Sequence, residues 1–304
     1  MVFLIIPLVL CVVAIPAGVL LNGYILFVTG CCMERTASSV WFLNQAMADV
    51  TFIIFLPLRF TSTFMLDIDW AKRLSSTVTS LHMFTSAFLL TALSVDRCIL
   101  VARPEWARNH RTPLLAFRMV MGLWALSAGF SLRYSDLWES LLSPASSSMN
   151  FRLDEERVKT SVMIQFLVGF LIPLALILIP TVYIFLAAKL RRNRQIQSTK
   201  PLKILLGLIP TFFLCWLPYH VFSFLLISAT YPLPLLEIGS AFAWVLTYFS
   251  SCLNPIFYLT MDKEFLRYRQ HARNLETTDN LGPELSSSPS LLFRLLYKNL
   301  NVNF

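Results

Sequence analysis

Asp96 and Arg97 are where chemistry begins in this sequence, because they close a long apolar run, Ser75 to Leu100. Arg103, Arg108, Arg111 and Arg118 follow. Charges where an apolar helix meets water are costly unless compensated, so the expectation is that Asp96 and Arg97 hold each other. Asp49 sits in the middle of another apolar run with no cation near it in sequence. A lone carboxylate in hydrocarbon needs a partner, a proton or a metal ion. Asn22, Ser86, Ser250, Ser251 and Asn254 lie in other apolar runs and are candidate partners. Converging, they make either an oxygen-lined site for a small hard cation or a water-filled packing network.

Two proline motifs add mechanics. Trp216-Leu217-Pro218 lies mid-run, where proline removes a helical hydrogen bond and kinks the helix beside a large aromatic ring. It reads as a pivot that turns a ligand push into an outward swing, or as a structural kink with an aromatic filler. Asn254-Pro255-Ile256-Phe257-Tyr258 repeats the theme near the end of the last run. No His-Glu-x-x-His, Gly-x-Ser-x-Gly or phosphate-binding glycine loop is present, so covalent catalysis is not expected.

The elements that position these residues follow from composition. A 304-residue chain that is 56% hydrophobic and 14% charged belongs to the membrane class. Windows near or above the ~20 apolar residues of a bilayer span fall at Val2–Thr29, Val40–Ser62, Ser75–Val101, Leu114–Leu132, Ser161–Leu190, Leu202–Thr230 and Leu235–Met261. The fold class is therefore all-α, a seven-transmembrane helix bundle. Pro16, Pro57, Pro173, Pro180, Pro210, Pro218 and Pro255 fall inside the windows. Each would cost about 3 kcal/mol in a soluble helix, but membrane helices re-satisfy the freed carbonyls through neighbours.

Lys and Arg concentrate after spans three, five and seven, which predicts an amino terminus outside and a carboxyl terminus in the cytoplasm. The +8 net charge reads as this bias plus contact with anionic membrane lipids, not nucleic-acid binding. No basic leader with a cleavage site precedes span one, so that span is expected to act as its own insertion signal. The extracellular amino terminus is either nearly absent or missing from this sequence. The cysteines, Cys11, Cys31, Cys32, Cys98, Cys215 and Cys252, lie within spans or at the cytosolic face, and no structural disulfide is expected. Residues 1–275 form the receptor-like unit, ending in a short amphipathic helix in which Phe265, Leu266 and Tyr268 lie among Arg267, Arg269 and Arg273. A solvated basic tail is the other reading of that stretch. Residues 276–304 are Ser-rich and expected to be a disordered cytoplasmic tail.

In order and spacing these motifs resemble the rhodopsin-like (class A) G-protein-coupled receptors. The matching residues are Gly18 to Asn22, Ala48-Asp49, Asp96-Arg97-Cys98, Trp124, Pro173, Cys215 to Pro218 and Asn254 to Tyr258. Two stretches, Ser94 to Thr112 and Cys215 to Phe222, are most similar to the chemoattractant branch: formyl-peptide, anaphylatoxin and chemerin receptors and the chemoattractant-type prostaglandin D2 receptor. The resemblance implies a receptor for an extracellular ligand that activates a heterotrimeric G protein, of the inhibitory class in this branch. It implies activation-switch roles for Asp96, Arg97, Trp216, Pro218, Asn254, Pro255 and Tyr258. It implies an allosteric sodium ion at Asp49, Ser86, Ser250 and Asn254, and no other cofactor. Receptor kinases and arrestin would act at Thr277, Thr278 and Ser286 to Ser290.

A ligand pocket is expected from Arg59, Thr79, Met83, Gln165, Tyr219, His220, Trp244 and Tyr248. Thr79 stands where amine receptors carry aspartate, which argues against an amine ligand. Span seven has no lysine for a retinal Schiff base. Arg59 suits a ligand carboxylate through a bidentate bond, or else snorkels to the outer interface. The expected ligand is an anionic lipid or a peptide. Gln165 replaces the lysine of the resembled prostaglandin receptor, which argues against the same ligand. Departures from the family are Lys72 in place of the helix-three cysteine, Thr181 in place of a span-five tyrosine, and Arg133 in place of an apolar residue or proline. They leave open a divergent or truncated receptor-like protein that is silent or scavenges ligand.

Overall fold

Many apolar side chains face outward, while polar ones lie buried among apolar ones inside. Leu20, Ile179 and Leu214 are among the most exposed side chains, whereas Asn22, Asp49, Ser94, Ser127, Thr247 and Ser251 are fully buried. Lipid rewards that arrangement, because an outward leucine costs nothing there and an inward polar group finds a partner. The computed structural model describes residues 2–58, 69–142, 159–190, 200–227, 233–261 and 265–268, with 61, 156 and 270.

Among the described residues, seven helices are long and apolar enough to cross a membrane: Ile15–Cys32, Ala37–Leu58, Arg73–Ala102, Pro113–Leu132, Lys159–Leu186, Leu205–Ile227 and Ile238–Met261. They are spans one to seven below. Each falls on its expected window. Span three is the hub, packing against spans two, four, five and six. Span seven packs on spans six, one and two, which closes the bundle.

Local chemistry sets the ends and bends. Span two starts on a capping box: Thr36 Oγ1 accepts from the Ser39 amide at 3.1 Å, and the Thr36 amide donates to Ser39 Oγ at 2.9 Å. That pairing satisfies two amides at the helix start. Its α-helix runs to Ile54 and passes through a turn at Phe55, two residues before Pro57, whose ring disfavours a regular α path. Span five carries a π turn at Leu167–Leu171, directly before Pro173. The wider turn absorbs the carbonyl that the proline cannot serve. The link between spans three and four, expected only as a basic loop and named the second loop below, contains a helix at Pro104–His110, with Arg111 after it. Proline opens it, Glu105 lies in its first turn, and Arg108 and His110 lie in its last, each suited to the helix dipole.

After span seven, residues 265–268 are helical, and Phe265 is buried against Phe42 at 6.0 Å between centroids. Lys263, Arg269 and Arg273 of the amphipathic stretch lie outside the described residues, as does all of 276–304. Among the described residues, no disulfide joins Cys31, Cys32, Cys98, Cys215 and Cys252.

Gly207 marks a close approach of spans six and seven. A Cβ there would lie 2.4 Å from Phe257 Cδ1 and 2.6 Å from its Cε1. Gly207→Val is therefore expected to destabilise the bundle by about 1–3 kcal/mol through overpacking. A lower thermal midpoint of the purified protein would register it, and an unchanged midpoint would show that the Phe257 ring gives way freely.

Candidate functional site

The buried polar centre gathers around Asp49 on span two. Its Oδ2 accepts from Asn254 Nδ2 of span seven at 3.0 Å. Its Oδ1 is contacted by His82 Nε2 of span three at 2.8 Å, and Gln45 Nε2 stands 3.4 Å away. Gln45 also donates to Ser86 Oγ at 2.9 Å, and Ser86 Oγ lies 3.2 Å from His82 Nε2. Ser251 Oγ approaches the same nitrogen at 3.1 Å. Asp49, Ser86 and Asn254 thus converge as expected. The hydroxyl from span seven that reaches this centre is that of Ser251, at 3.1 Å from His82 Nε2, while the neighbouring Ser250 is buried as well. Asn22 reaches the Gly18 and Ser251 carbonyls at 3.0 Å each.

His82 is the residue that the sequence reading missed. Its signal was legible: a lone titratable ring four residues before Ser86, hence on the same helical face. With an imidazole nitrogen inside the expected oxygen cage, the residues fit a sodium ion poorly.

The His82 ring is the centre of an aromatic stack. Phe52 lies parallel to it at 4.1 Å and 8°, and Tyr248 lies on the other face of Phe52 at 4.0 Å and 5°. Trp216 faces His82 at 5.8 Å and 29°. Trp216 is fully buried, touches Phe212 at 6.0 Å and Tyr219 at 5.6 Å, and its Nε1 has no hydrogen-bond partner. Pro218 lies one half-turn beyond it. An indole held by rings alone can change rotamer without breaking a hydrogen bond.

At the Asp96 end of span three, Asp96 and Arg97 do not hold each other. Neighbouring residues on a helix project about 100° apart and do not face each other. Asp96 instead accepts a bidentate pair from Arg111, Nε to Oδ1 at 2.7 Å and Nη2 to Oδ2 at 2.9 Å. Arg111 Nη2 also donates to Ser38 Oγ at 2.7 Å. Arg97 turns inward, only 8% exposed, with Nη2 3.3 Å from Ser38 Oγ and Cζ 5.8 Å from the Phe42 centroid. Phe42, also missed from sequence, packs on Tyr258 at 4.6 Å. One ring therefore touches the Arg97, Tyr258 and Phe265 segments together. Pro255 is buried in the same helix, between Asn254 and Tyr258.

The expected pocket residues form two groups meeting at Trp216. On spans three, five and six, Met83 is fully buried and lies 4.0 Å from Gln165 Nε2 through its sulfur. His220 is caged by Phe166 at 5.4 Å and Phe170 at 5.0 Å, with Nε2 lacking a hydrogen-bond partner. Tyr219 is half-buried beside it. On spans two and seven, Trp244 meets Tyr248 edge-on at 5.2 Å, and Tyr248 stacks on Phe52. Thr79 spends its hydroxyl on the Ser75 carbonyl of its own helix at 2.7 Å. Arg59 lies outside the described residues.

Comparison with known proteins decides the family. The family described as 7 transmembrane receptor (rhodopsin family) matches residues 21–258. The chain belongs to the rhodopsin family of seven-transmembrane receptors. Chemerin-like receptor 1 of Homo sapiens is 36% identical over 277 residues, covering 83% of this chain and 74% of that protein. Chemerin-like receptor 1 of Bos taurus is 35% identical over 278 residues, covering 83% of this chain and 76% of that protein. N-formyl peptide receptor 3 of Homo sapiens is 32% identical over 275 residues, covering 82% and 76%. The receptor is thus of the chemoattractant branch, a multi-pass plasma-membrane protein and not an enzyme. Its family implies an extracellular ligand on one side and a G protein on the other.

Phe42→Ala removes the ring shared by three cytosolic segments and is expected to cost about 3–5 kcal/mol, the usual range for a deleted core aromatic. Chemical or thermal denaturation of the purified receptor measures it. A cost below that of an exposed Phe→Ala control would show that Phe42 is not structural.

Proposed function

We propose that the receptor senses an extracellular anionic chemoattractant and activates an inhibitory heterotrimeric G protein. The single observation behind this reading is the closed cytosolic switch: Arg97 turned inward beside Phe42 while Arg111 clamps Asp96. In this arrangement the Arg97 guanidinium is withheld from any partner at the cytosolic face. Releasing it requires span three to part from the second loop and from Ser38, while Phe42 and Tyr258 unstack. The Trp216 ring, poised between the pocket groups and the polar centre, is where ligand binding acts on that packing.

The ligand class favoured is a peptide carrying a carboxylate. One group of relatives is named for N-formyl peptides, and Arg59 suits an acid group. An anionic lipid remains chemically compatible with the same arginine. The amino terminus lies outside and the carboxyl terminus in the cytoplasm, where Thr277, Thr278 and Ser286 to Ser290 serve receptor kinases and arrestin through added phosphate charge. The Asp49 cluster ties spans two, three and seven together in the resting state.

One observation favours a second reading, a silent or scavenging receptor. Thr181, where the family carries tyrosine, turns its hydroxyl back onto the Ile177 carbonyl at 2.7 Å. It offers span five no polar reach toward the switch.

The experiment is inhibition of cyclic AMP in cells, with surface expression confirmed, for wild type and Arg97→Ala. The panel holds formyl peptides, chemerin-like and anaphylatoxin peptides and prostaglandin D2. The expected result is a peptide response abolished by pertussis toxin and by the substitution. Surface-expressed receptor that internalises a peptide without any cyclic AMP change would establish the scavenger instead. In the same assay, Arg111→Gln is expected to raise ligand-independent signalling, since Asp96 then loses both bonds that anchor span three to the second loop. Unchanged basal signalling would show that this clamp does not restrain the switch.

A further inference from the structure

The imidazole of His82 stands where the Asp49 carboxylate needs a positive charge. Nε2 lies 2.8 Å from Asp49 Oδ1, 3.2 Å from Ser86 Oγ and 3.1 Å from Ser251 Oγ. Those are the oxygens a hard cation would gather, since such ions take oxygen ligands. The ring cannot swing aside to make room, because Phe52 stacks on it at 4.1 Å and Trp216 faces it at 5.8 Å. His82 Nδ1 is buried without a hydrogen-bond partner, so the ring makes its polar contacts through Nε2 alone.

Charge balance points the same way. The other contacts of Asp49 are the amide nitrogens of Asn254 and Gln45, which are dipoles and carry no net charge. The titratable groups around the ring are Asp49 on span two and the buried Cys252 thiol on span seven, close enough to feel the Asp49 charge. Span six presents Trp216, and span three itself presents Ser86. Among the described residues, no Lys or Arg reaches this centre. A buried carboxylate left bare is strongly unfavourable, and the His82 nitrogen is the contact that stands where a counter-ion would.

We propose that the His82 imidazole replaces the sodium ion of this site: its Nε2 takes the place among Asp49 Oδ1, Ser86 Oγ and Ser251 Oγ that the ion would fill. The receptor's resting state is then indifferent to sodium. Because the ring also faces Trp216 at 5.8 Å, the side chain that fills the ion site touches the residue beside the span-six proline.

The test needs neither ligand nor G protein, so its failure is separable from that of the signalling reading. Thermal midpoints of the full-length purified receptor are compared in sodium chloride and in choline chloride at equal ionic strength. Wild type is expected to unfold at the same temperature in both. His82→Asn, which removes the ring and leaves the carboxylate facing an open oxygen cage, is expected to gain a sodium-specific rise in midpoint. Adding Asp49→Asn should abolish that rise. His82→Ser, which adds an oxygen to the space, is the second variant and should behave alike. A wild-type midpoint that rises with sodium and loses the rise in Asp49→Asn overturns the proposal. So does sodium indifference in both His82 variants. Wild type alone decides if neither variant can be purified.

Discussion

A carboxylate buried in the middle of an apolar bundle sets the terms for everything around it. Asp49 is fully buried, and its two oxygens are served by span three through His82 and by span seven through Asn254. In a medium of low dielectric each of those bonds is strong when made and costly when lost. Spans two, three and seven are therefore fixed in register by one residue, in a way that apolar packing against lipid-like neighbours could not achieve. Packing between apolar helices in a bilayer is permissive about rotation, because the lipid competes for the same contacts.

From that centre two paths of contact lead to the cytosol. One descends span seven from Asn254 through Pro255 to Tyr258, whose ring packs tilted against Phe42 at 4.6 Å. The other descends span three from His82 and Ser86 to Arg97, whose guanidinium lies over the same Phe42 ring. The paths rejoin at one aromatic side chain of span two, the helix that also carries Asp49. Between them lies a small void of about 20 Å³ bordered by Gln45, Ser86 and Asn254, room for about one water molecule. The polar centre and the arginine are thus parts of one packed unit, and a change in either is felt through Phe42.

The spans were legible in the sequence because twenty apolar residues in a row have few other meanings. The convergence of Asp49, Ser86 and Asn254 was legible too, since polar groups in separate apolar runs must find one another. What stayed hidden depended on geometry finer than a window. Asp96 and Arg97 are adjacent, which suggests pairing in a string of letters, but on the helix they point apart and Asp96 is taken by Arg111. Ser250 and Ser251 are equally polar, and only the helical phase of span seven decides which one faces His82. Phe42 is one of 25 phenylalanines, and nothing in its sequence neighbourhood marks it as the junction of two motifs. His82 was overlooked for a different reason: a search for oxygen donors around a carboxylate passes over a ring that can itself supply the charge.

Span three explains how these separate features act as one. It is a single helix of 34 residues, Asp69–Ala102, about 50 Å long at 1.5 Å per residue. No proline interrupts it, unlike spans five, six and seven. Thr79, Met83, Ser86, Leu90, Leu93 and Arg97 recur at steps of three and four, so one face passes from the pocket region through the polar centre to the cytosol. A rod without a hinge cannot absorb a displacement locally, and a turn imposed at Met83 must be carried to Arg97 or resisted on the way. The resistance sits at both ends of the lower half, in the His82–Asp49 bond and in the Arg111–Asp96 clamp. The proline-kinked spans six and seven can bend around it while span three only rotates. The division of labour follows directly from where the sequence places its prolines and where it places its charges.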